Sequence, residues 1–265
     1  MLQNTKLIAV LQSIFFIIMI IVNALANSLP MNGYTTAEVS AMYPNLFVPA
    51  GFTFSIWGVI YLFLLVWVIY SGMLLWKKDE HSPAFQHAKK IAPLFIITCL
   101  LNASWIIFWQ YLFVVLSLII MLWLLRTLIA VYNRMQKTQK QITGWDYWLL
   151  VVPFVIYLAW ICVATIANTS ALLVDINWNG FGLEQWIWSC IMIAVATSLA
   201  FWFSYFRGEL AFALVIAWAL FGIYSGQSVN REVSLMAIGC CGFSTMAGII
   251  GFLRRNRHTA LEGII

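Results

Sequence analysis

Three apolar stretches of this 265-residue chain carry indoles, phenols and amides at helical spacing. Phe54, Trp57 and Tyr61 stand at i, i+3 and i+7, as do Asn102, Trp105 and Trp109. Tyr157, Trp160, Ala164 and Asn168 continue the pattern, and Asn23 closes another apolar run. On a helix, residues so spaced share one face. Such faces can stack on a flat or lipidic molecule through their rings and orient it through their amides. They are not equipped for ordinary hydrolysis. No Ser/His/Asp set, paired intramembrane carboxylates or metal-ligand spacing accompanies them. No phosphate-binding glycine loop is present either, and the apolar runs lack the acidic relay of proton-driven carriers.

The elements that hold these faces are set by composition. The chain is 63% hydrophobic and only 9% charged, against about 25% charged residues in soluble domains. Mean hydropathy is +0.93. So little charge cannot coat a water-exposed surface, so lipid must be the main solvent of the exterior. We read about eight transmembrane helices in an all-α polytopic bundle: Leu7–Ala26, Phe54–Trp76, Ile91–Trp109, Leu112–Tyr132, Tyr147–Ala167, Trp186–Phe206, Leu210–Tyr224 and Val233–Leu253. The seventh is the shortest.

Loop charges supply an independent check. With the N-terminus inside, the inner segments hold Lys6, Lys77, Lys78, Lys89, Lys90, Arg134, Lys137, Lys140, Arg207, Arg254, Arg255 and Arg257, and the outer ones hold Glu38, Asp175, Glu184 and Glu232. Twelve of the 14 basic residues therefore obey the positive-inside rule, with both termini cytoplasmic. The net charge of +5 reflects these loops facing anionic lipid, not nucleic acid. With this topology Trp57, Tyr61, Asn102, Trp105, Trp109, Trp160, Ala164 and Asn168 fall in the outer halves of their helices. The amides must then face the bundle interior, because lipid offers them no partner.

Other features read structurally. Cys99, Cys162, Cys190, Cys240 and Cys241 lie in apolar runs without CxxC spacing, as small buried hydrophobes. His81, His87 and His258 lie in polar loops, and no metal site is expected. Arg126 is close enough to the inner end of its span to snorkel. Trp145, Trp148, Trp178, Trp186, Trp188 and Trp202 sit near span ends and suit the lipid–water interface. Ser244/Gly248 and Ala247/Gly251 are small-xxx-small pairs, for packing within the chain or for a homodimer seam. Lys6, an apolar run and Ala24-Leu25-Ala26 also resemble a secretory signal. The run exceeds the usual h-region, so we read a retained first helix.

At the aromatic faces the sequence resembles the TspO/MBR family, tryptophan-rich sensory proteins related to the peripheral benzodiazepine receptor. Residues 49–61, PAGFTFSIWGVIY, resemble its loop-to-second-helix motif. Leu101-Asn102-Ala103-Ser104-Trp105 with Phe108 resembles its third-helix motif, and residues 157–168, YLAWICVATIAN, its fifth. The chain departs from the pattern at Ala50, at Ile156 and in residues 114–118, where many members carry an acid. The resemblance covers residues 1–170 as a five-helix bundle, leaving 171–265 as a three-helix C-terminal extension.

It implies a pocket beneath the first long loop, between helices 1, 2, 3 and 5, and a porphyrin or haem-like ligand without an obligate cofactor. It also implies contact roles for Trp57, Asn102, Trp105, Trp160 and Ala164. The expected function is binding, transport or sensing of a small hydrophobic aromatic molecule such as a tetrapyrrole, in a bacterial cell membrane. The alternative is a permease subunit or structural partner of a membrane complex. No enzyme activity is expected, save the light-dependent porphyrin degradation proposed for some relatives.

Overall fold

The computed structural model describes residues 4–28, 31–138, 141–142 and 144–262, with side chains to 255. Lys140 and the side chains of Arg257 and His258 lie outside this description. Among the described residues there are only helices and loops: α1 (Thr5–Ser28), α2 (Thr36–Ala41), α3 (Ile56–Lys77), α4 (Pro83–Gln110), α5 (Val114–Gln136), α6 (Trp145–Leu150), α7 (Val152–Asp175), α8 (Gln185–Arg207), α9 (Leu210–Gly226) and α10 (Arg231–Glu262). The protein is an integral, multi-pass helical membrane protein. Among the described residues, seven helical stretches are long and apolar enough to cross a bilayer, with α6 and α7 forming one of them. The eighth expected span, α9, is apolar but only 17 residues long. At 1.5 Å per residue it reaches about 25 Å, short of a hydrocarbon core of about 30 Å.

Helix boundaries depart from the apolar runs for local reasons. α4 begins eight residues before its run, because Ser82 caps it by accepting from the Phe85 amide and Pro83 occupies its first turn. Lys89 and Lys90 are therefore helical. His87, expected in a polar loop, is fully buried on α4, its Nδ1 lying 2.8 Å from the Thr138 hydroxyl. Pro153 divides the fifth run into α6 and α7, since it has no amide to donate at the junction. Phe54 falls in a 3₁₀ turn (Gly51–Ser55) ahead of α3, not on the Trp57 face.

The chain forms two compact units. One comprises the chain up to Val39 with Ser55–Ile161. The other comprises Ser40–Phe54 with the chain from Cys162 onward. In the first, α1 packs on α3 and α4, and α4 on α5. Its core is aromatic. Trp67 lies 4.6 Å from Phe95 and 5.0 Å from Phe154, ring centre to ring centre, and Phe16 reaches Phe95 at 6.2 Å. Gln12 ties α1 to α3 by donating to the Ser71 hydroxyl at 2.9 Å, the kind of polar contact that fixes helix register in lipid. Exposed Arg126 lies 5.4 Å from the centre of the Trp123 ring, one turn back, with its charge at the surface.

The first half of the long loop also belongs to this unit. Gln110, at the end of α4, donates to the Ala26 and Tyr34 carbonyls at 2.6 and 2.9 Å. α2 opens with a reciprocal capping box. The Thr35 amide donates to Glu38, and the Glu38 amide to the Thr35 hydroxyl. The bond from the Thr35 backbone holds the Glu38 carboxyl below the ordinary carboxylate range.

In the second unit, α8, α9 and α10 pack on one another. Phe203 stacks on Phe212 at 3.9 Å. A methyl group at Gly248 would lie 2.8 Å from Ala213 Cβ, and one at Gly251 would strike the Ser204 carbonyl. These two small-residue positions of α10 are thus occupied within the chain. Gly239 and Gly242 face open space. The buried Glu209 carboxylate pairs with Arg255 at 3.8 Å. The second half of the long loop is fastened to α9. The Ala50 amide donates to the Gly222 carbonyl at 2.9 Å, the Trp218 indole to Thr53 at 3.0 Å, and the Gln227 amide to Val48 at 3.0 Å. Gly222 and Gly226 permit this approach, since side chains there would meet Thr53 and the Ala50 backbone.

Candidate functional site: an indole cluster over an amide chain

Trp57 sits in the first turn of α3, and four other rings surround it. Tyr61, one turn on, stacks at 5.6 Å. Trp105 of α4 lies at 5.7 Å, and Tyr157 and Trp160 of α7 meet it edge-on at 6.3 and 6.1 Å. Trp109 extends the cluster by stacking on Trp105 at 6.2 Å. Offset and edge-on pairs at these separations are the favourable arrangements of aromatic quadrupoles. Trp105, Trp109, Tyr157 and Trp160 are buried, whereas Trp57 and Tyr61 are half-buried.

A chain of buried polar groups accompanies the rings. Asn23 of α1 donates to the Asn102 side-chain oxygen at 2.8 Å, and Asn102 donates to the Tyr157 hydroxyl at 2.9 Å. Asn102 and Tyr157 are fully buried. The amide of Asn23 also reaches the Met19 carbonyl at 2.9 Å. Three helices are thereby joined at one level by neutral groups satisfying one another, as apolar surroundings demand. Above this level the Trp109 indole donates to the Thr36 carbonyl at 3.4 Å, connecting the cluster to the first half of the long loop.

Seven residues singled out from sequence thus meet: Trp57, Tyr61, Asn102, Trp105, Trp109, Tyr157 and Trp160. Ala164 and Asn168 lie one and two turns beyond Trp160 on α7, and both belong to the second compact unit. Asn168 is buried and Ala164 half-buried. Sequence reasoning missed Gln110 and Thr36. Gln110 adjoins Trp109 in sequence, and a buried amide at the end of an apolar run was the available signal. Among the described residues no group of three His, Cys, Asp or Glu side chains could hold a metal ion.

The arrangement presents stackable rings beside neutral hydrogen-bonding groups, with no ionised side chain in the contacts described. Groups of this kind are those that line small-molecule pockets. No curated protein and no solved structure matches the chain. A family model does, that of the TSPO-like protein, over residues 9–250. The match runs past residue 170, where the motif resemblance stops, through α8, α9 and most of α10. With its aromatic motifs inside a match of that extent, the chain belongs to the TSPO-like protein family.

Proposed function

We propose that the protein binds a small, flat, hydrophobic ligand of the tetrapyrrole type at the Trp57 cluster, to sense or carry it within a bacterial cell membrane. On this reading it is a binding protein and not an enzyme. One observation carries the proposal: half-buried Trp57 contacts aromatic rings from α3, α4 and α7, while the Asn23–Asn102–Tyr157 chain ties α4 and α7 to each other and to α1. Trp57 is the ring on which a ligand would stack or which it would displace. Buried Trp105 and Trp160 form the wall behind it.

The test is titration of the protein in lipid nanodiscs with protoporphyrin, followed by the shift of the porphyrin absorption band. Saturable binding is expected. A ring contact is worth about 0.5–1.5 kcal/mol beyond its buried area, so Trp160→Ala should raise Kd by roughly tenfold once lost area is included. Asn102→Ala, which loosens the wall, should also weaken binding. Unchanged affinity in both variants would remove this cluster as the site.

A further inference from the structure

The second compact unit contains a cavity of about 510 Å³, lined by Pro44–Phe47 of the long loop, the C-terminal end of α7, the α7–α8 connection and the first turns of α8. Small-molecule sites occupy roughly 300–1,000 Å³. Phe47, Leu173, Trp178, Trp188 and Met192 give the lining its apolar character. The wall is held by ring contacts, with Trp178 at 5.0 Å from Trp188 and 5.1 Å from Phe181. Among the described residues, no Asp, Glu, Lys, Arg or His lines the cavity. A carboxylate or ammonium inside would therefore give up part of its hydration without gaining a counter-charge, which disfavours it against a neutral group.

The polar lining includes the side-chain amides of Asn45, Asn177, Asn179 and Gln185 and the Ser189 hydroxyl, and the groups on α7 have a definite sense. Thr169 donates its hydroxyl proton to the Thr165 carbonyl at 2.8 Å, and Ser170 donates to Ile166 at 3.0 Å. The Trp188 indole donates to the Gly180 carbonyl at 2.8 Å. These three donors are spent on the backbone. A hydroxyl that has given away its proton keeps its lone pairs and can only accept. The wall therefore offers Thr169 and Ser170 as acceptors, side by side on α7, within apolar surroundings.

We infer that this cavity is a ligand site distinct from the Trp57 cluster. Its ligand is a neutral, mainly apolar molecule whose polar end is an O–H or N–H donor. An anionic porphyrin does not meet that description, so the two sites select different chemistry, and neither depends on the other being correct.

The probes are 1-pyrenemethanol, 1-methylpyrene and 1-pyrenecarboxylate, titrated by fluorescence against the full chain in nanodiscs, with empty nanodiscs subtracted. The alcohol should bind saturably, and the carboxylate at least tenfold more weakly. Leu173→Trp, which fills the cavity, should raise the Kd of the alcohol at least tenfold. Met192→Trp does the same from α8 should the first variant misfold. Ser170→Ala combined with Thr169→Val should abolish the preference for the alcohol over 1-methylpyrene and leave 1-methylpyrene itself unchanged. Trp160→Phe should have no effect on any of the three. The inference is overturned by purely non-saturable partitioning, by unchanged alcohol affinity in the folded filling variants, or by loss of alcohol binding on Trp160→Phe.

Discussion

Replacing Asn102 by Leu tests whether the amide chain holds three helices in register. The substitution keeps approximate volume and deletes two hydrogen bonds, one from Asn23 at 2.8 Å and one to Tyr157 at 2.9 Å. Interhelical hydrogen bonds within membranes average about 0.6 kcal/mol, well below the desolvation cost of a stranded polar group, about 1–3 kcal/mol. Which figure applies depends on what is left behind. Asn23 keeps its bond to the Met19 carbonyl at 2.9 Å. Tyr157 loses a donor to its hydroxyl oxygen, and that hydroxyl still carries its own proton. Neither partner is wholly stranded, so the loss should be close to two average bonds, about 1–2 kcal/mol. Tyr157→Phe removes one bond and should cost about half as much. In the Tyr157→Phe background, Asn102→Leu should then cost about 0.6 kcal/mol less than in the parent. Reversible unfolding of the purified protein by SDS, monitored by circular dichroism, measures all four corners of the cycle. A neutral or stabilising Asn102→Leu, or a coupling of zero, would refute the assignment of helix register to these amides.

Three other outcomes are expected. At Gly226 and Gly222, Ala should destabilise despite a better helix propensity. The overpacking cost of about 1–3 kcal/mol exceeds the propensity gain of about 1 kcal/mol, because a Cβ meets the Ala50 nitrogen at 2.8 Å in one case and buried Thr53 in the other. Gly58→Ala, with nothing within 4 Å, should be neutral or stabilising in the same unfolding assay. The Glu38 carboxyl is held below the ordinary carboxylate range, so its contribution to α2 is full above that range and is lost as pH falls through the lower folded value. Proteolysis within Thr36–Ala41 should therefore increase under acid, and Glu38→Gln should flatten the profile; an unchanged profile would contradict the capping role. In a cysteine-free background, a membrane-impermeant maleimide added to right-side-out cells should label Val229→Cys, whose parent side chain is 99% exposed, and spare Glu80→Cys. The reverse pattern would invert the proposed topology.

How much was legible in the sequence follows from which forces act locally. Apolar runs report a residue's relation to its solvent, and they located the long helices. Spacing reports which side chains share a face, so Trp57 with Tyr61 and Trp105 with Trp109 could be paired directly. That these faces converge required only that amides avoid lipid, a rule Asn102 obeys in the structure. Start signals that outrank hydropathy were harder to read. Ser82-Pro83 extends α4 over two lysines and buries His87, which composition alone would leave in water.

The attachment of the long loop to α9 was not legible at all. Its Pro49–Phe54 segment looked like the prelude to the Trp57 helix. It does run through the 3₁₀ turn directly into α3, and bonds involving Ala50, Trp218 and Gln227 also fasten it and Val48 to α9. Those contacts join residues more than 160 positions apart, and each ends on a backbone carbonyl of Val48, Thr53 or Gly222, which carries no side-chain signature. The same feature explains why α9 can be short. A helix whose Gly222 carbonyl and Gly226 face receive a loop is partly solvated by protein. It therefore need not match the full hydrocarbon thickness that the seven longer spans match by their length. The cavity follows from the same arrangement, because it is lined by Pro44–Phe47, the stretch immediately preceding the segment that α9 holds.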